Sequence, residues 1–546
     1  MSMELKASQS IVADVIIIGG GAAGLRAAIA AMQHGLDVLL LSESPVGFKN
    51  NSAIAKGGVV AVGVRKGIGD SPEAYFKDTV TAGRFIGDRK LIAVMVEGAR
   101  QQIDDLTEFG VHFIQHGVEL RVKGTPGHTY PRMVEANKGI NITRPLRRYA
   151  KSIGTRFMEG VLVARLLRVG NAVVGVLGID NKGQLLIIKA KSTVLATGGL
   201  GGIYLRTNNA MGLTGDGYAL GYEAGAVLRD MEFTQFYATA SGKQGNKMTF
   251  MYEWALPAGA ILRNSLGEDI LQKHGMKDYA SLTRDLIARA VVREVIEGRG
   301  IDGQVVLDLT TIPEEGADKL YRNKFISSKA ALVKVLVAPA AHYFMGGVKI
   351  DENGETGVDG LYAAGEVCGG IHGANRIGGN ALTEAFVFGT IAGNQAAGRA
   401  AKIKMVPIPE GEVMSEVAGL RRLASGRGGI NPDQLVQSLR QTMWDKAGII
   451  RDKQNLEDGL NKILALREQL PTVSVTGYRQ LYRVIKLMKM ITVSEMICRA
   501  ALMRTESRGT HYRADFPAED DQWLKAIEIH FLDGDMALTA VPVLAD

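Results

Sequence analysis

The chain has 546 residues, of which 46% are apolar and 22% charged, and its formal net charge is +7. This length exceeds what one hydrophobic core supports, so we expect two or three domains. The mild charge, without a long basic run, argues against a nucleic-acid partner and is compatible with an acidic substrate. With only Cys368 and Cys498, the chain has neither a disulfide framework nor a cysteine-ligated iron–sulfur cluster of its own.

The N-terminus carries no targeting signal. Its first ten residues lack an apolar signal core, and the apolar stretch 11–32 is interrupted by glycines, Asp14 and Arg26. No segment predicts a membrane span, and the histidines show no metal-ligand spacing. We therefore expect a cytoplasmic protein without a metal site, able to dock on the cytoplasmic face of a membrane through a partner.

The first 43 residues predict a dinucleotide-binding βαβ unit. Residues 12–18 are typical of a buried strand, residues 25–34 of an alanine-rich helix, and residues 37–41 of a second strand. The run 19–24, Gly-Gly-Gly-Ala-Ala-Gly, joins the first strand to the helix. This context makes the motif far more specific than isolated glycines.

Three glycines of that run have separate tasks. Gly19 permits the tight turn, Gly21 lets a pyrophosphate reach the helix N-terminus, and Gly24 allows close packing of helix on strand. Glu43 lies 19 residues beyond Gly24, in position for a ribose hydroxyl. FAD and NAD share this fingerprint, so other segments must distinguish them.

Several later segments resemble one known family. Strands at 191–197 and 361–364 end in small-residue turns, as in FAD enzymes of the two-dinucleotide-fold type, and the loop 214–217 reads Thr-Gly-Asp-Gly. The segments 342–347 and 372–382 each place a histidine among glycines. Together they resemble the flavoprotein subunits of succinate dehydrogenase and fumarate reductase, and L-aspartate oxidase.

The resemblance implies FAD as the cofactor. The positions that match the family's cofactor site are Gly19, Gly21, Ala23, Gly24, Ser42, Glu43, Ser52, Gly57, Gly58, Val163, Thr197, Gly198, Asp216, Glu366, Arg376, Asn380, Ala381 and Leu382. Asn51 stands where the membrane-complex members carry the histidine that tethers FAD covalently. Asparagine cannot form that bond, so we predict non-covalent FAD.

The resemblance also implies a substrate site. Arg284 matches the family's proton-transferring arginine, His342 and Arg376 match the pair that clamps substrate carboxylates, and Glu253 matches a glutamate of the proton path. A fifth position is Tyr237. An arginine can bind a carboxylate through two parallel hydrogen bonds, which is the chemistry that an unsaturated acid needs.

At the fifth position the chain departs from the family pattern. Most dicarboxylate members read Gln-x-His-Pro-Thr, whereas residues 235–239 read Gln-Phe-Tyr-Ala-Thr. Tyr237 keeps a donor but lacks the charge, a loss of roughly 1.5–3 kcal/mol for a second carboxylate. Related reductases of aryl-substituted acrylates resemble this chain in placing tyrosine there. The loop 254–258, Trp-Ala-Leu-Pro-Ala, is also more apolar than a dicarboxylate pocket.

His128 is the most ambiguous of the candidates. It lies in a segment that resembles a family loop near the active site, and a packed structural histidine explains it equally well.

The predicted architecture is α/β. A Rossmann-like FAD-binding domain of the two-dinucleotide-fold type comprises residues 1–235 and 346–405, an α+β capping domain is inserted at 236–345, and a helical domain occupies 406–546. We expect a linker around 407–411, helices at 382–399, 435–444, 455–470 and 478–505, and the C-terminal signature of the complex-type subunits at 504–517.

The leading hypothesis is an FAD oxidoreductase that interconverts a C–C single and double bond beside a carboxylate. Fumarate with succinate, or a larger unsaturated acid, is the expected substrate pair. An iron–sulfur subunit is the expected partner, because the chain has no electron carrier of its own besides FAD. The alternatives are an L-aspartate oxidase-like amino-acid oxidase and a flavin-bearing electron-transfer scaffold without an organic substrate.

Overall fold

A computed structural model describes residues 6–65, 67–242, 249–250, 252–276, 282–322, 326–426 and 428–543, with backbone alone at 6–8, 249–250, 252–253 and 329. The strands, in chain order, are β1 Lys6–Val12, β2 Val15–Ile18, β3 Val38–Ser42, β4 Gly58–Val60, β5 Gln115–His116, β6 Glu119–Leu120, β7 Val122–Lys123, β8 Met133–Glu135, β9 Arg156–Glu159, β10 Val161–Val169, β11 Ala172–Asp180, β12 Gln184–Lys189, β13 Ser192–Leu195, β14 Leu228–Arg229, β15 Thr234–Ser241, β16 Thr249–Phe250, β17 Ile261–Arg263, β18 Val305–Asp308, β19 Lys334–Phe344, β20 Gly347–Lys349, β21 Leu361–Ala363, β22 Cys368–Gly369, β23 Lys525–Leu532 and β24 Asp535–Pro542.

The helices, in chain order, are α1 Ala22–Met32, α2 Asn51–Ile54, α3 Pro72–Ala82, α4 Arg89–Glu108, α5 Ile140–Ser152, α6 Asp216–Glu223, α7 Tyr252–Ala255, α8 Ile270–Lys273, α9 Arg284–Ile296, α10 Glu314–Arg322, α11 Asn380–Lys402, α12 Glu410–Ala424, α13 Pro432–Lys446, α14 Lys453–Gln469 and α15 Tyr478–Met503.

A parallel sheet with strand order β21-β13-β2-β3-β9 forms the core of the cofactor domain. Strands β2 and β13 are buried along their whole length, as expected where helices cover both faces. Helix α11 packs on α1 through Gly389 and Gly393, where an added Cβ would lie 2.8 and 2.4 Å from carbonyl oxygens of α1. The predicted βαβ unit and α/β fold class are confirmed.

One strand prediction was wrong in its extent. Residues 12–18 do not form one strand, because Val12 ends β1, which pairs with β12 in a second sheet of order β1-β12-β11-β10. The chain turns at Asp14, whose carboxylate contacts Lys191 Nζ at 2.8 Å and accepts a hydrogen bond from the Asp37 amide. These polar contacts separate two strands that hydropathy alone merges.

The inserted segment carries its own sheet, of order β16-β15-β19-β18-β17. Strands β15 and β19 run antiparallel, with Thr234 opposite Phe344 and Tyr237 opposite Ala340, and α9 packs against them. Both strands reach from the cap into the cofactor domain. The exact domain boundaries stay predictions.

The C-terminal region contains the three predicted helices as α13, α14 and α15, and the predicted helix 382–399 lies within α11. The linker prediction was wrong beyond Pro409, because Gly411 lies inside α12. Pro409 is the N-cap of that helix, and Glu410 and Glu412 occupy its first turn, where negative charge stabilises a helix.

The C-terminal region is not purely helical either. Strands β23 and β24 form a hairpin that joins β14, β20 and β22 in one sheet. Its turn is Asp533-Gly534, both residues with positive φ, the sequence signal of a tight hairpin. Among the described helices, none is long and apolar enough to cross a membrane.

Candidate active site

A cavity of about 1620 Å³ extends from the N-terminus of α1 to the cap. Ligand pockets usually measure roughly 300–1,000 Å³, so this cavity has room for a dinucleotide and a second, smaller molecule. Its nucleotide end includes Gly19 and Glu43, and its substrate end includes Arg284 and His342.

The nucleotide end is built from backbone. Gly19 has φ +124°, and an added Cβ there would lie 2.1 Å from the Ala196 carbonyl oxygen. A Cβ on Gly24 would lie 1.9 Å from the Gly19 carbonyl oxygen. Gly21 caps α1 without a side-chain hydrogen bond. Only glycine allows this close approach, and the helix N-terminus faces the cavity with its partial positive charge.

A second helix N-terminus faces the same cavity. Gly379, with φ +89°, precedes α11 and makes no side-chain cap, and no acidic residue occupies the first turn. Ala381 and Leu382 line the cavity. Two helix N-termini that face one cavity favour a ligand with negative charge or electron-rich oxygens at two places.

Most predicted cofactor residues line this cavity. They are Gly19, Gly21, Ala23, Ser42, Glu43, Ser52, Gly57, Gly58, Val163, Thr197, Gly198, Asp216, Glu366, Arg376, Ala381 and Leu382. Gly24 lies behind the lining, and the Asn380 side chain is turned away. Asn380 accepts a hydrogen bond from Tyr75 and donates one to Thr79, at 3.0 and 3.2 Å, so it fixes the start of α11.

Gln235 is the hub of the substrate end. Its Oε1 accepts hydrogen bonds from Arg376 Nη2 at 2.9 Å and from Arg284 Nη1 at 3.2 Å. Its Nε2 donates to the Asn375 side chain and to the Arg376 carbonyl, at 2.8 and 2.9 Å. One buried amide thus holds two guanidinium groups, one from α9 and one from the loop before α11.

The Tyr237 ring contacts both Arg284 and His342. The Arg284 guanidinium carbon lies 5.6 Å from the centre of the Tyr237 ring, within reach of a cation–π interaction. The His342 ring meets the same ring edge to face, with centres 5.6 Å apart. His342 Nδ1 lies 3.1 Å from Asn208 Oδ1, a contact that orients the ring. Arg284, His342, Arg376 and Tyr237 therefore meet in one place.

A buried polar group supports Arg376 from behind. The Tyr343 ring lies 4.5 Å from the Arg376 guanidinium carbon. The Tyr343 hydroxyl donates to Glu384 at 2.7 Å, and His372 Nε2 lies 2.9 Å from the same carboxylate oxygen. Burial and Glu384 raise the pKa of Tyr343 well above its usual value, so the hydroxyl stays protonated and the ring stays in place.

His128 contacts the loop that carries Arg376. Its Nε2 bonds to the Gly378 carbonyl at 2.9 Å, and its Nδ1 lies 2.9 Å from Arg132 Nη1. Arg132 is itself held by Asp70 and Asp78. Burial lowers the pKa of His128, which suits a neutral ring that joins two loops. The Glu253 side chain lies outside the described residues, and its backbone belongs to α7.

Two known protein families match this chain. The FAD binding domain family matches residues 14–382, and the fumarate reductase flavoprotein C-terminal family matches residues 436–544. This chain belongs to the fumarate reductase and succinate dehydrogenase flavoprotein family. It is therefore an FAD-dependent oxidoreductase, as the sequence predicted.

Individual relatives cover nearly the whole chain. A subunit of the CoM/CoB fumarate reductase of Methanothermobacter marburgensis is 34% identical over 94% of this chain and 96% of its own length. L-aspartate oxidase of Agrobacterium fabrum is 33% identical over 92% of this chain and 91% of its own length. A solved chain of E. coli quinol fumarate reductase superposes with a TM-score of 0.87 at 28% identity, covering 98% of both chains.

The residues present fit FAD. Besides the N-terminus of α1, the Thr197 hydroxyl lies in the cavity wall, buried and without a hydrogen-bond partner among the described residues. Glu366 also lines the cavity, and burial raises its pKa to about 7, against the opposing hydrogen bond from Asn51. Polar groups of this kind suit the ribityl and phosphate parts of a flavin dinucleotide.

The supporting residues are not evident from the sequence motifs. Gln235 belongs to the motif at 235–239 but carries no predicted role there, and Asn208, Glu384 and Lys486 belong to none of the predicted sites. Their signal is weak but present: Gln235 and Glu384 are polar side chains at buried positions of β15 and α11, where each needs a partner.

Proposed function

We propose that this protein interconverts a C–C single and a C–C double bond beside a carboxylate. The observation that carries the proposal is the convergence of Arg284, Arg376 and His342 around Gln235 and Tyr237 at one end of the FAD cavity. Cations in a shielded cleft suit an anionic substrate. The similarity to fumarate reductase subunits supports the same reaction class.

Arg376 is the carboxylate-binding residue in this proposal. It is 7% exposed, it is held by Gln235, and its position is fixed by the Tyr343 ring. A pre-positioned guanidinium in a dry site binds a carboxylate through two hydrogen bonds and stabilises negative charge that develops during reduction of the alkene. His342 holds the same carboxylate or its neighbouring oxygen.

Arg284 is the proton donor. It is the first residue of α9, where the partial positive charge of the helix disfavours a cation. It also shares Gln235 Oε1 with Arg376, so a second positive charge lies close by. Both features favour release of a proton. FAD, when bound, would supply two-electron redox chemistry at the carbon beside the one that Arg284 protonates.

We propose that FAD is bound without a covalent link. Both ends of the Asn51 amide are engaged, since Nδ2 donates to Glu366 at 3.2 Å and Oδ1 accepts from the Ala210 amide at 2.9 Å. An amide offers no nucleophile for a flavin bond. Acid precipitation should leave the flavin in the supernatant, and yellow precipitated protein would contradict this.

The substrate is proposed to be fumarate with succinate, or a larger unsaturated acid. Tyr237 offers no charge to a second carboxylate, and Trp254, Pro257 and Leu282 add apolar surface to the cavity wall. These features favour the larger acid slightly.

The test is anaerobic reoxidation of the photoreduced protein by fumarate and by a panel of alkyl and aryl acrylates. Fast reoxidation by any of them supports the proposal and ranks the substrates. The proposal would be contradicted if no acid of the panel reoxidised the flavin and succinate did not reduce it. Unimpaired electron transfer in an Arg284→Ala variant would favour the scaffold alternative.

A second function, an L-aspartate oxidase activity, is favoured by Asn51 and by relatives of that name. Mixing the protein with aspartate in air should separate the two cases. Release of hydrogen peroxide would support the oxidase, and its absence together with fumarate turnover would exclude it.

We also propose that an iron–sulfur subunit exchanges electrons with this chain. Support comes from the match of residues 436–544 to the fumarate reductase C-terminal family and from a relative that is named as one subunit of its enzyme. Purification from the native host, followed by iron and acid-labile sulfide analysis of the co-purifying chains, tests this. Full activity with a physiological donor in the isolated chain would contradict it.

A further inference from the structure

The C-terminal helix α15 reaches the nucleotide end of the cavity. Three of its side chains, Tyr482, Lys486 and Lys489, are spaced four and three residues apart, so they share one face of the helix. Tyr482 itself lines the cavity. Lys489 is fully buried and donates to the Val163 carbonyl at 2.6 Å.

Lys486 joins two carboxylates of the cofactor site. Its Nζ lies 2.8 Å from Glu43 Oε1 and 2.5 Å from Asp216 Oδ2, and it donates to the Gly212 carbonyl at 2.8 Å. The Tyr482 hydroxyl donates to the other Glu43 oxygen at 2.7 Å. We call the group Glu43, Lys486 and Asp216 the Lys486 bridge.

The bridge is shielded from water. The Lys486 side chain is 4% exposed. Burial disfavours its charge, but Asp216 and Glu43 more than offset this and raise the pKa of Lys486. It is therefore a permanent cation beside two carboxylates in a place of low dielectric, where such interactions are strong.

We propose that Lys486 is a positioning residue for FAD, supplied by the C-terminal region. Without it, Glu43 and Asp216 would place two uncompensated negative charges in the cavity that receives a pyrophosphate, and Glu43 would lose one of the two contacts that fix its orientation. Lys486 acts through these two carboxylates. The C-terminal helices therefore help to retain the cofactor, independently of which substrate the enzyme reduces.

The test is the rate of FAD release from the full-length holoprotein, followed by the rise in flavin fluorescence after dilution. Lys486→Met, which keeps an unbranched chain one atom shorter and removes the charge, should release FAD at least about tenfold faster. Lys486→Arg should restore most of the retention. The matched control is Lys446→Met, which removes another carboxylate-paired lysine of the same region, beside Asp458, and should release FAD at the wild-type rate.

Two further variants distinguish positioning from general support of the fold. In Glu43→Gln/Lys486→Met the uncompensated charge at Glu43 is gone, so release should be slower than in Lys486→Met alone. If Lys486→Met does not fold, Tyr482→Phe removes one hydrogen bond to Glu43 and should speed release by a few-fold. A lower unfolding temperature with an unchanged release rate would overturn the proposal, as would simple additivity of the two single variants.

Discussion

The two ends of the cavity are built in different ways. At the nucleotide end, glycine backbone and helix N-termini form much of the surface, and the glycine run that leads into α1 is one short, continuous stretch of it. At the substrate end, side chains from β15, α9, β19 and the loop before α11 meet around Gln235. A surface built from local backbone can be recognised as a motif, whereas a surface built from distant side chains depends on how the whole chain folds.

The largest expected effect is a loss of turnover without a loss of flavin. Arg284→Met should lower turnover about 10²–10⁴-fold, the usual contribution of a general acid, and should leave flavin content unchanged because Arg284 lies at the substrate end. Steady-state kinetics and the flavin-to-protein absorbance ratio measure both. Loss of flavin in this variant would show that the two ends are not independent.

A substitution at the nucleotide end should instead remove the cofactor. Gly24→Ala forces a Cβ to within 1.9 Å of the Gly19 carbonyl oxygen, so the turn must move, at a cost of about 2–4 kcal/mol, and FAD should be lost.

Thermal unfolding and flavin content measure the effect of Gly24→Ala. The control is Gly398→Ala in α11, where an added Cβ has nothing within 4 Å and should stabilise the helix slightly. Equal behaviour of the two variants would show that the close packing at Gly24 is unimportant.

Glu366 lies in the wall shared by both ends, and its effect depends on pH. In the flavin-free protein its pKa is raised from 4.5 to about 7, chiefly by burial. Between these values the folded state binds more protons than the unfolded chain, so this contribution to the free energy of unfolding falls as pH rises from 4.5 to 7. Glu366→Gln should remove that fall, about 3 kcal/mol in total.

Urea unfolding of flavin-free wild type and Glu366→Gln at pH 5 and pH 7.5 measures this difference. The variant should gain stability relative to wild type at the higher pH. An identical pH dependence in the two proteins would show that Glu366 is already ionised at pH 5.

The smallest effect concerns substrate choice. Tyr237→His restores the residue typical of dicarboxylate members and should raise the rate with fumarate, relative to an aryl acrylate, by about tenfold. The ratio of kcat/KM for the two acids measures it. A ratio unchanged by the substitution would show that Tyr237 does not contact the substrate group that differs between the two acids.

Much of the fold was predictable because it depends on local patterns. The βαβ unit, α11 and α13 to α15 follow from runs of buried residues and helical periodicity. The errors came from features that local hydropathy does not resolve. Asp14 divides a continuous apolar run through contacts with Lys191 and Asp37, and the hairpin β23–β24 depends on pairing with β14, far away in the chain.

The site was predictable in part for the same reason. Arg284, His342 and Arg376 were predicted from family motifs, but Gln235, the common partner of the two arginines, becomes evident only when β15 lies between α9 and the loop before α11. The Lys486 bridge is a clearer case, since its members are separated by hundreds of residues and no local pattern relates them.

By itself, the sequence determined the α/β fold, because glycine spacing and periodicity act through neighbouring residues along the chain. It indicated FAD and the reaction class through its resemblance to one family. Only the tertiary structure decided which polar groups meet. Burial forces each buried charge to find a partner, and the partner is supplied by whichever element packs there: Gln235 for the two arginines, and Lys486 for Glu43 and Asp216 in the cavity wall.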